Sequence, residues 1–272
     1  MMSLTQVKSR KQSFYYNPRC FSWKASQAAT ASGCGGRKPR RDPPRRDDNL
    51  PQLSVTVDER HYRPAIAMVI GHSFVRRLQQ FHSSTFGHYF NLGFSYSQLQ
   101  VVYYGHSGLT VQDVMYYHLA SIDQIKPDII YLELGTNDLC SPTATPMSVG
   151  NDLRLLVTQL LNLGVKFVVT GQVIFRRGRG IPRAVPGFNR RVVTLNHYCA
   201  RLLGTHSLPN SYFWHHRGMW HPACQVLARD GVHLNRQGMV KQGRSIRGAL
   251  LYALRRIRSQ LLVANIPVIR YF

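Results

Sequence analysis

The sequence predicts an α/β fold, in which a parallel sheet of about five strands is covered by helices on both faces. Two observations support this prediction. Short apolar runs recur along the chain from about residue 65, as is typical of strands buried on both faces. Segments with helical spacing of apolar residues lie between these runs, so that strand and helix alternate. The runs interpreted as strands cover residues 65–70, 99–104, 129–134, 165–170 and 211–214.

Helical patterns fill most of the intervals between the predicted strands. An apolar stripe runs through residues 74–81, with the arginines and glutamines of that segment on the opposite face. Thr145 followed by Pro146 is typical of an N-cap and a first helical position, and Gly164 is placed to end that helix. Further helices are predicted over residues 188–202 and after Asn235, which can cap the last one.

The first part of the chain has a different composition. Residues 1–60 are basic and contain runs of glycine and proline, and the first forty residues contain no acid. Such a segment buries too little apolar surface to offset the entropy lost on ordering. We therefore predict a basic, disordered N-terminal tail over residues 1–60 and a folded domain over residues 61–272. The tail also has the composition of a transit peptide, so mitochondrial targeting stays open.

The charge of the chain is strongly positive. It has 35 Lys and Arg against 12 Asp and Glu, a net charge of +23. After Asp152 the one acid is Asp230, which singles out Asp230 for a functional role. Clustered positive charge also suits nonspecific binding to nucleic acid or another polyanion. The arginine-rich loop over residues 175–180 could bind an anionic substrate or a phosphate backbone, or could be a solvated loop.

The cysteines argue against a disulfide framework and against a zinc ribbon. Their number is odd, and no pair has CxxC spacing. A reducing, intracellular compartment, cytoplasmic or nuclear, is the simpler interpretation. His215, His216, His221 and Cys224 match no standard zinc spacing, so we expect no metal. The loop after the first strand lacks a phosphate cradle, so we expect no cofactor. No apolar run approaches the roughly 20 residues that span a bilayer.

Residues that could carry chemistry follow four of the predicted strands. Ser73 comes after the first strand, and Gly108 lies in a turn after the second. Asn137 follows the third strand, and the segment 230–233, Asp-Gly-Val-His, follows the fifth. Because ligand sites of parallel sheets lie at the carboxyl ends of the strands, these four segments should converge on one rim.

These residue types suit acyl transfer. His233 can remove the proton of Ser73, and Asp230 can orient the imidazole. The backbone N–H groups of Ser73 and Gly108 and the amide of Asn137 can form an oxyanion hole. Each residue also has a simpler interpretation: Ser73 as a helix N-cap, Gly108 as a turn residue with positive φ, and Asn137 as an ordinary turn residue.

At these residues the sequence resembles the SGNH/GDSL hydrolase family, named for Ser, Gly, Asn and His in four blocks. The matches are Ser73, Gly108, Asn137 and His233, in the family's order, and the resemblance covers about residues 65–260. It implies a flavodoxin-like three-layer α/β/α sandwich and hydrolysis of esters, thioesters or O-acetyl groups without a cofactor.

The resemblance has one departure. His72 stands where the family usually has Asp, so the first block reads GHSF in place of GDSL. Since that Asp helps to order the site, the departure puts rate, substrate and activity in question. The stretch from Gly71 to Leu78 is similar to a subgroup of animal proteins, some of them associated with mobile elements.

Two functions follow from the sequence. The first is a serine esterase, of the O-acetylesterase kind, that cleaves a small ester through Ser73, His233 and Asp230. The alternative is a catalytically inactive domain of the same fold that binds nucleic acid or another polyanion through its basic tail and surface. The two functions can coexist in one chain.

Overall fold

A computed structural model describes residues 63–85, 90–204, 206–220 and 224–264. By internal contacts the chain divides into Met1–Val57 and Asp58–Phe272, and every described residue belongs to the second unit. The predicted tail over residues 1–60 lies outside the described residues, so its disorder stays a prediction. No helix within the described ranges is long and apolar enough to cross a membrane.

The sheet has five parallel strands in the order β2-β1-β3-β4-β5. This is the flavodoxin-like strand order, and it confirms the predicted fold class. Each strand lies within two residues of its predicted position. The largest shift is at the start of β4, because the N–H of Val165 still bonds to Leu160 O at the end of the preceding helix. The strands are β1 Ala65–Gly71, β2 Leu99–Gly105, β3 Ile129–Glu133, β4 Phe167–Gly171 and β5 Ser211–Trp214.

The helices lie in the crossover connections that parallel strands require. Short 3₁₀ turns cover Asp138–Cys140 and Gly178–Gly180. A π-helical turn, Val114–His118, joins α2 to α3. The helices are α1 Ser73–Thr85, α2 Val111–Asp113, α3 Leu119–Ile125, α4 Pro146–Asn162, α5 Phe188–Leu202 and α6 Arg236–Ala264.

The predicted helix ends are found in the structure. The Thr145 side chain accepts the N–H of Ser148 at 3.0 Å and caps α4. Gly164 follows α4 with a φ of +91°, a conformation that favours glycine. Asn235 Oδ1 accepts the N–H of Gly238 at 2.8 Å, which caps α6.

The helical segment between β2 and β3 was not predicted from the sequence. Its apolar repeat is broken by the π-helical turn, where one extra residue per turn shifts the stripe. The signal that was available is the pair Thr110 and Asp113, which form a capping box at the start of α2.

Side chains alternate along each strand and build two cores, one on each face of the sheet. On one face Val69 and Tyr131 pack with α1 and α6, and on the other Met68 and Leu132 pack with α2 to α5. Since both faces of the sheet are covered, the described residues form the expected three-layer α/β/α sandwich. Ligand sites of such sheets lie at the carboxyl ends of the strands, which form one rim.

The inner face of α4 offers a test of this layering. Leu156 is fully buried in the second core, whereas its neighbour Leu155 is 51% exposed. We expect Leu156→Ala to lower the free energy of unfolding by about 2–5 kcal/mol, because it leaves a cavity. The same change at Leu155 should cost no more than about 0.5 kcal/mol. Urea unfolding of both variants measures the difference, and equal losses would contradict the assigned face of α4.

Candidate active site

The junction of β1 and α1 places Ser73 at the carboxyl rim. One residue, His72, separates the end of the strand from the start of the helix. The turn is tight enough that a Cβ at Gly71 would lie 2.7 Å from the carbonyl oxygen of Glu133. Glycine at position 71 therefore allows α1 to begin directly over the strand end, with Ser73 in its first turn.

The structure brings Ser73, His233 and Asp230 into one hydrogen-bonded chain. His233 Nε2 lies 3.1 Å from Ser73 Oγ, although the two residues are 160 positions apart. On the other side of the ring, His233 Nδ1 lies 2.7 Å from Asp230 Oδ2. These are the distances that a nucleophile, a base and an orienting carboxylate require.

Asp230 is held as an ionised acceptor. Its Oδ1 accepts the backbone N–H groups of Val232 and His233, each at 2.9 Å. Partial burial acts to raise its pKa, but the hydrogen bonds from His233 and the backbone prevail and lower the pKa of Asp230 to about 2. An ionised carboxylate accepts the Nδ1 proton of His233, so the Nε2 lone pair faces Ser73.

The loop that carries Asp230 and His233 is anchored to the segment after β4. Arg177 donates its N–H to Gly231 O at 2.9 Å, and Ala228 donates its N–H to His233 O at 2.7 Å. Gly231 has a φ of +70°, and a Cβ there would collide with Arg177 O. Glycine is therefore required where this loop presses against its neighbour.

Two of the three predicted oxyanion donors reach the cleft around Ser73. Asn137 lines this cleft together with Ser73, whereas Gly108 is not among its lining residues. Gly108 has a φ of +81°, as the turn interpretation requires. Asn137 Nδ2 donates to Leu109 O at 3.0 Å, so the turn that holds Gly108 is tied to Asn137.

The cleft itself is small. Its cavity volume is about 10 Å³, and one water molecule needs roughly 10–15 Å³ on the same scale. The enclosed part of the cleft therefore has room for about one water molecule. The lining residues are His72, Ser73, Phe74, Glu133, Thr136, Asn137, Val173, Ile174, Arg176 and Val232.

His72, the departure from the family pattern, is a buried cap of α1. Its Nδ1 accepts the N–H of Phe74 at 3.3 Å, and 3% of the residue is exposed. Burial is the main cause that lowers the pKa of His72 from 6.5 to about 4; Glu133 opposes the shift, and the charges of Arg176 and His233 add to it. His72 is therefore neutral at neutral pH and accepts the hydrogen bond that an Asp at an N-cap would accept.

Glu133 takes part in a buried polar network that was not predicted from the sequence. In the structure Tyr131 donates its hydroxyl proton to Glu133 Oε2 at 2.9 Å, and His216 Nε2 lies 3.5 Å from the same oxygen. Glu133 also lines the cleft. The available signal was the presence of an acid inside a buried strand, where an unpaired charge is costly.

The metal interpretation gains no support. The described residues hold no group of three or more His, Cys, Asp or Glu side chains that could bind a metal ion. His221 lies outside the described residues. His216 Nδ1 lies 2.9 Å from Ser245 Oγ, so this ring already belongs to the buried network.

Comparison with known proteins identifies the fold and the family. The family model for GDSL-like lipases and acylhydrolases matches residues 69–241. No curated protein sequence matches the chain.

Solved structures share the architecture at low sequence identity, and at such identities the likeness shows the fold alone. A GDSL-like lipase from Bacteroides thetaiotaomicron has a TM-score of 0.57 and 15% identity, over 69% of this chain and 88% of its own. A protein from Bacteroides fragilis assigned as an acylhydrolase has a TM-score of 0.57 and 16% identity, over 72% and 90%. A family 3 carbohydrate esterase from Talaromyces cellulolyticus has a TM-score of 0.51 and 17% identity, over 71% and 99%.

The buried, neutral state of His72 predicts a pH dependence of stability. Between pH 6.5 and about 4, His72 binds a proton in the unfolded chain but not in the folded chain. This residue therefore lowers stability as pH falls through that window. His72→Asn keeps an acceptor for Phe74 and does not titrate. From neutral pH to about pH 4, we expect wild type to lose on the order of 3 kcal/mol relative to the variant.

The measurement is the difference between the two free energies of unfolding at each pH. Other groups titrate in the same range. Burial raises the pKa of Asp138 to about 6, which acts with the opposite sign. Groups that do not interact with His72, such as Asp138, contribute equally in both proteins and cancel in the difference. Parallel profiles for wild type and His72→Asn would contradict the assigned state of His72.

Proposed function

Since the chain belongs to the GDSL-like lipase and acylhydrolase family, we propose that it is a serine esterase that removes a small acyl group, such as acetyl, from an ester. Membership of the family makes the protein an esterase-type hydrolase. The single observation that supports the roles of the residues is the distance of 3.1 Å between His233 Nε2 and Ser73 Oγ.

In the first half of the proposed reaction, Ser73 Oγ attacks the ester carbonyl carbon while its proton passes to His233 Nε2. The charge that develops on the carbonyl oxygen is stabilised by the N–H group of Ser73 and by the Asn137 amide, the two donors that line the cleft. When the intermediate collapses, the C–O bond to the alcohol breaks. His233 returns the proton to the departing oxygen, which leaves an acyl group on Ser73.

In the second half, water takes the place of the alcohol. His233 removes a proton from the water as its oxygen attacks the acyl carbon, and the proton then returns to Ser73 Oγ as the acid is released. Asp230 stays ionised throughout and stabilises the imidazolium that forms twice per cycle. The small volume of the cleft supports a small acyl group such as acetyl.

Replacement of the nucleophile tests this proposal. We expect Ser73→Ala to reduce kcat for p-nitrophenyl acetate by about 10⁴-fold or more and to abolish labelling by a fluorophosphonate probe. Ser83→Ala, an exposed position on the same helix, is the matched control and should keep wild-type activity and labelling. Equal rates for wild type and Ser73→Ala would remove Ser73 from the mechanism.

A second candidate function, binding to a polyanion such as nucleic acid, is favoured by the surface of α6. Arg244, Arg255 and Arg258 are exposed, and none has an ion-pair partner among the described residues. At 100° per residue the three share one face of the helix and span about 21 Å. A stripe of this kind can neutralise successive phosphates. The geometry of Ser73 and His233 argues against an inactive domain, so this binding would accompany hydrolysis.

The salt dependence of binding tests the role of this stripe. For full-length protein on duplex DNA, we expect the slope of log K against log salt to become less steep by about 0.9 for each phosphate that the variant no longer neutralises. The test variant carries Arg→Gln at positions 244, 255 and 258. A control with Arg→Gln at 154, 190 and 201 removes equal charge from α4 and α5, on the other face of the sheet. Equal effects of the two variants, or salt-independent binding, would contradict the assignment.

A further inference from the structure

Arg176 places a positive charge in the wall of the catalytic cleft. It lines the same cleft as Ser73 and Asn137. Among the described residues no carboxylate lies within ion-pair distance of its guanidinium. Buried or half-buried charges in proteins are usually paired. The absence of an acidic partner in this part of the chain leaves the charge available to a ligand.

The acid that lines the same cleft as Arg176 already has partners within the protein. Glu133 is the one acidic residue among the residues that line the cleft. Its Oε2 accepts a hydrogen bond from Tyr131 and lies within 3.5 Å of His216, both on the core side. The carboxylate is thereby bound within the protein, whereas the guanidinium faces the cleft.

The backbone and the side chain of Arg176 are both held in place by α5. Asn189 clamps its backbone at both groups: Asn189 Oδ1 accepts the N–H at 3.0 Å, and Asn189 Nδ2 donates to the carbonyl at 2.9 Å. The guanidinium lies over the ring of Phe188, 5.0 Å from its centroid. A cation held in this way loses little conformational entropy when it binds an anion.

The hydrogen bonds that Arg176 makes to oxygen atoms are long. Its Nη2 lies 3.4 Å from Asn137 Oδ1 and 3.5 Å from Thr136 O, both at the long end of hydrogen-bond distances. The guanidinium also makes a side-chain hydrogen bond with Cys140, which opposes the effect of burial that raises the pKa of that thiol. A guanidinium has five N–H donors. Two long contacts to oxygen and one to the sulfur of Cys140, a weak acceptor, leave donors of the guanidinium that a carboxylate can use.

Asn137 lies between Arg176 and the turn that holds Gly108. Because Leu109 O needs a donor and Arg176 can only donate, the amide orientation is determined: Nδ2 faces the Gly108 turn and Oδ1 faces Arg176. The Gly108 turn therefore lies on the Nδ2 side of Asn137, and Arg176 lies on its Oδ1 side. A substituent of the substrate that extends to the Oδ1 side would meet Arg176.

We propose that Arg176 is a specificity-determining residue that binds an anionic group of the substrate, so that the preferred substrates are small acyl esters of compounds bearing a carboxylate or a similar anion near the scissile bond. This inference rests on the proposed esterase function and names its substrate class. The cleft accommodates the small acyl group, and the fork of Arg176 holds the anion of the alcohol part.

Three matched pairs of substrates separate the effect of a substrate's negative charge from the effect of its size. The 2-, 3- and 4-acetoxybenzoates carry an acetyl ester and a carboxylate at three spacings, and their methyl esters are neutral. The quantity to measure is the ratio of kcat/KM for each acid to that for its methyl ester, in wild type, Arg176→Gln and Arg176→Lys. The exposed Arg179→Gln, in the same loop but outside the cleft lining, controls for net charge.

We expect this ratio to fall about tenfold or more in Arg176→Gln for at least one of the three acids. Because any general effect of the substitution on the site acts on both members of a pair, the ratio isolates the contribution of the carboxylate. Thermal unfolding followed by circular dichroism shows that the variant is folded. Arg176→Lys should retain part of the preference, because it keeps the charge but loses the planar fork. Arg179→Gln should behave as wild type.

The outcomes that overturn the two proposals differ. If wild type hydrolyses the neutral esters in a manner that Ser73→Ala abolishes, but Arg176→Gln leaves every ratio unchanged or lowers both esters equally, the anion-binding role of Arg176 is refuted and the esterase stands. If wild type hydrolyses none of the esters, or Ser73→Ala hydrolyses them as fast, the esterase function fails and this inference fails with it.

Discussion

The candidate site depends on one contact, the hydrogen bond between His233 Nε2 and Ser73 Oγ. Its partners come from the end of β1 and from the loop before α6, and no local sequence feature holds them together. The parallel sheet does so, because all its strands end at the same edge and each returning loop crosses that edge. The hydrogen bond from Arg177 N–H to Gly231 O then holds the loop that carries His233 against the segment after β4.

The buried carboxylate of Glu133 accounts for His72, the residue that departs from the family pattern. Position 72 is buried beside Glu133, which is itself buried and pairs with Tyr131 and His216. A carboxylate at position 72 would place two like charges in a medium of low polarity, where one would have to take up a proton. A neutral imidazole caps α1 without that repulsion, so His72 and Glu133 are compatible as a pair. Arg176 supplies the positive charge of the cleft lining.

Local patterns predicted most of the fold because both faces of the sheet are covered. Strands buried on two faces are continuous apolar runs, and β1 to β5 were each found within two residues of prediction. The helix ends at Thr145, Gly164 and Asn235 were predictable because capping depends on neighbours three or four residues away. The segment 111–125 was missed, because the π-helical turn interrupts the apolar repeat by which a helix is recognised in a sequence.

By itself the sequence determined the fold class, the order of the strands along the chain and the four segments that gather at the rim. The tertiary structure decided how their side chains meet: the alignment of Ser73 with His233, the amide orientation of Asn137, the burial of His72 beside Glu133, and the place of Arg176 in the cleft. The physical reason is range. Periodicity and capping act over one or two turns, whereas these contacts join residues from 28 to 160 positions apart or depend on burial by the whole sheet.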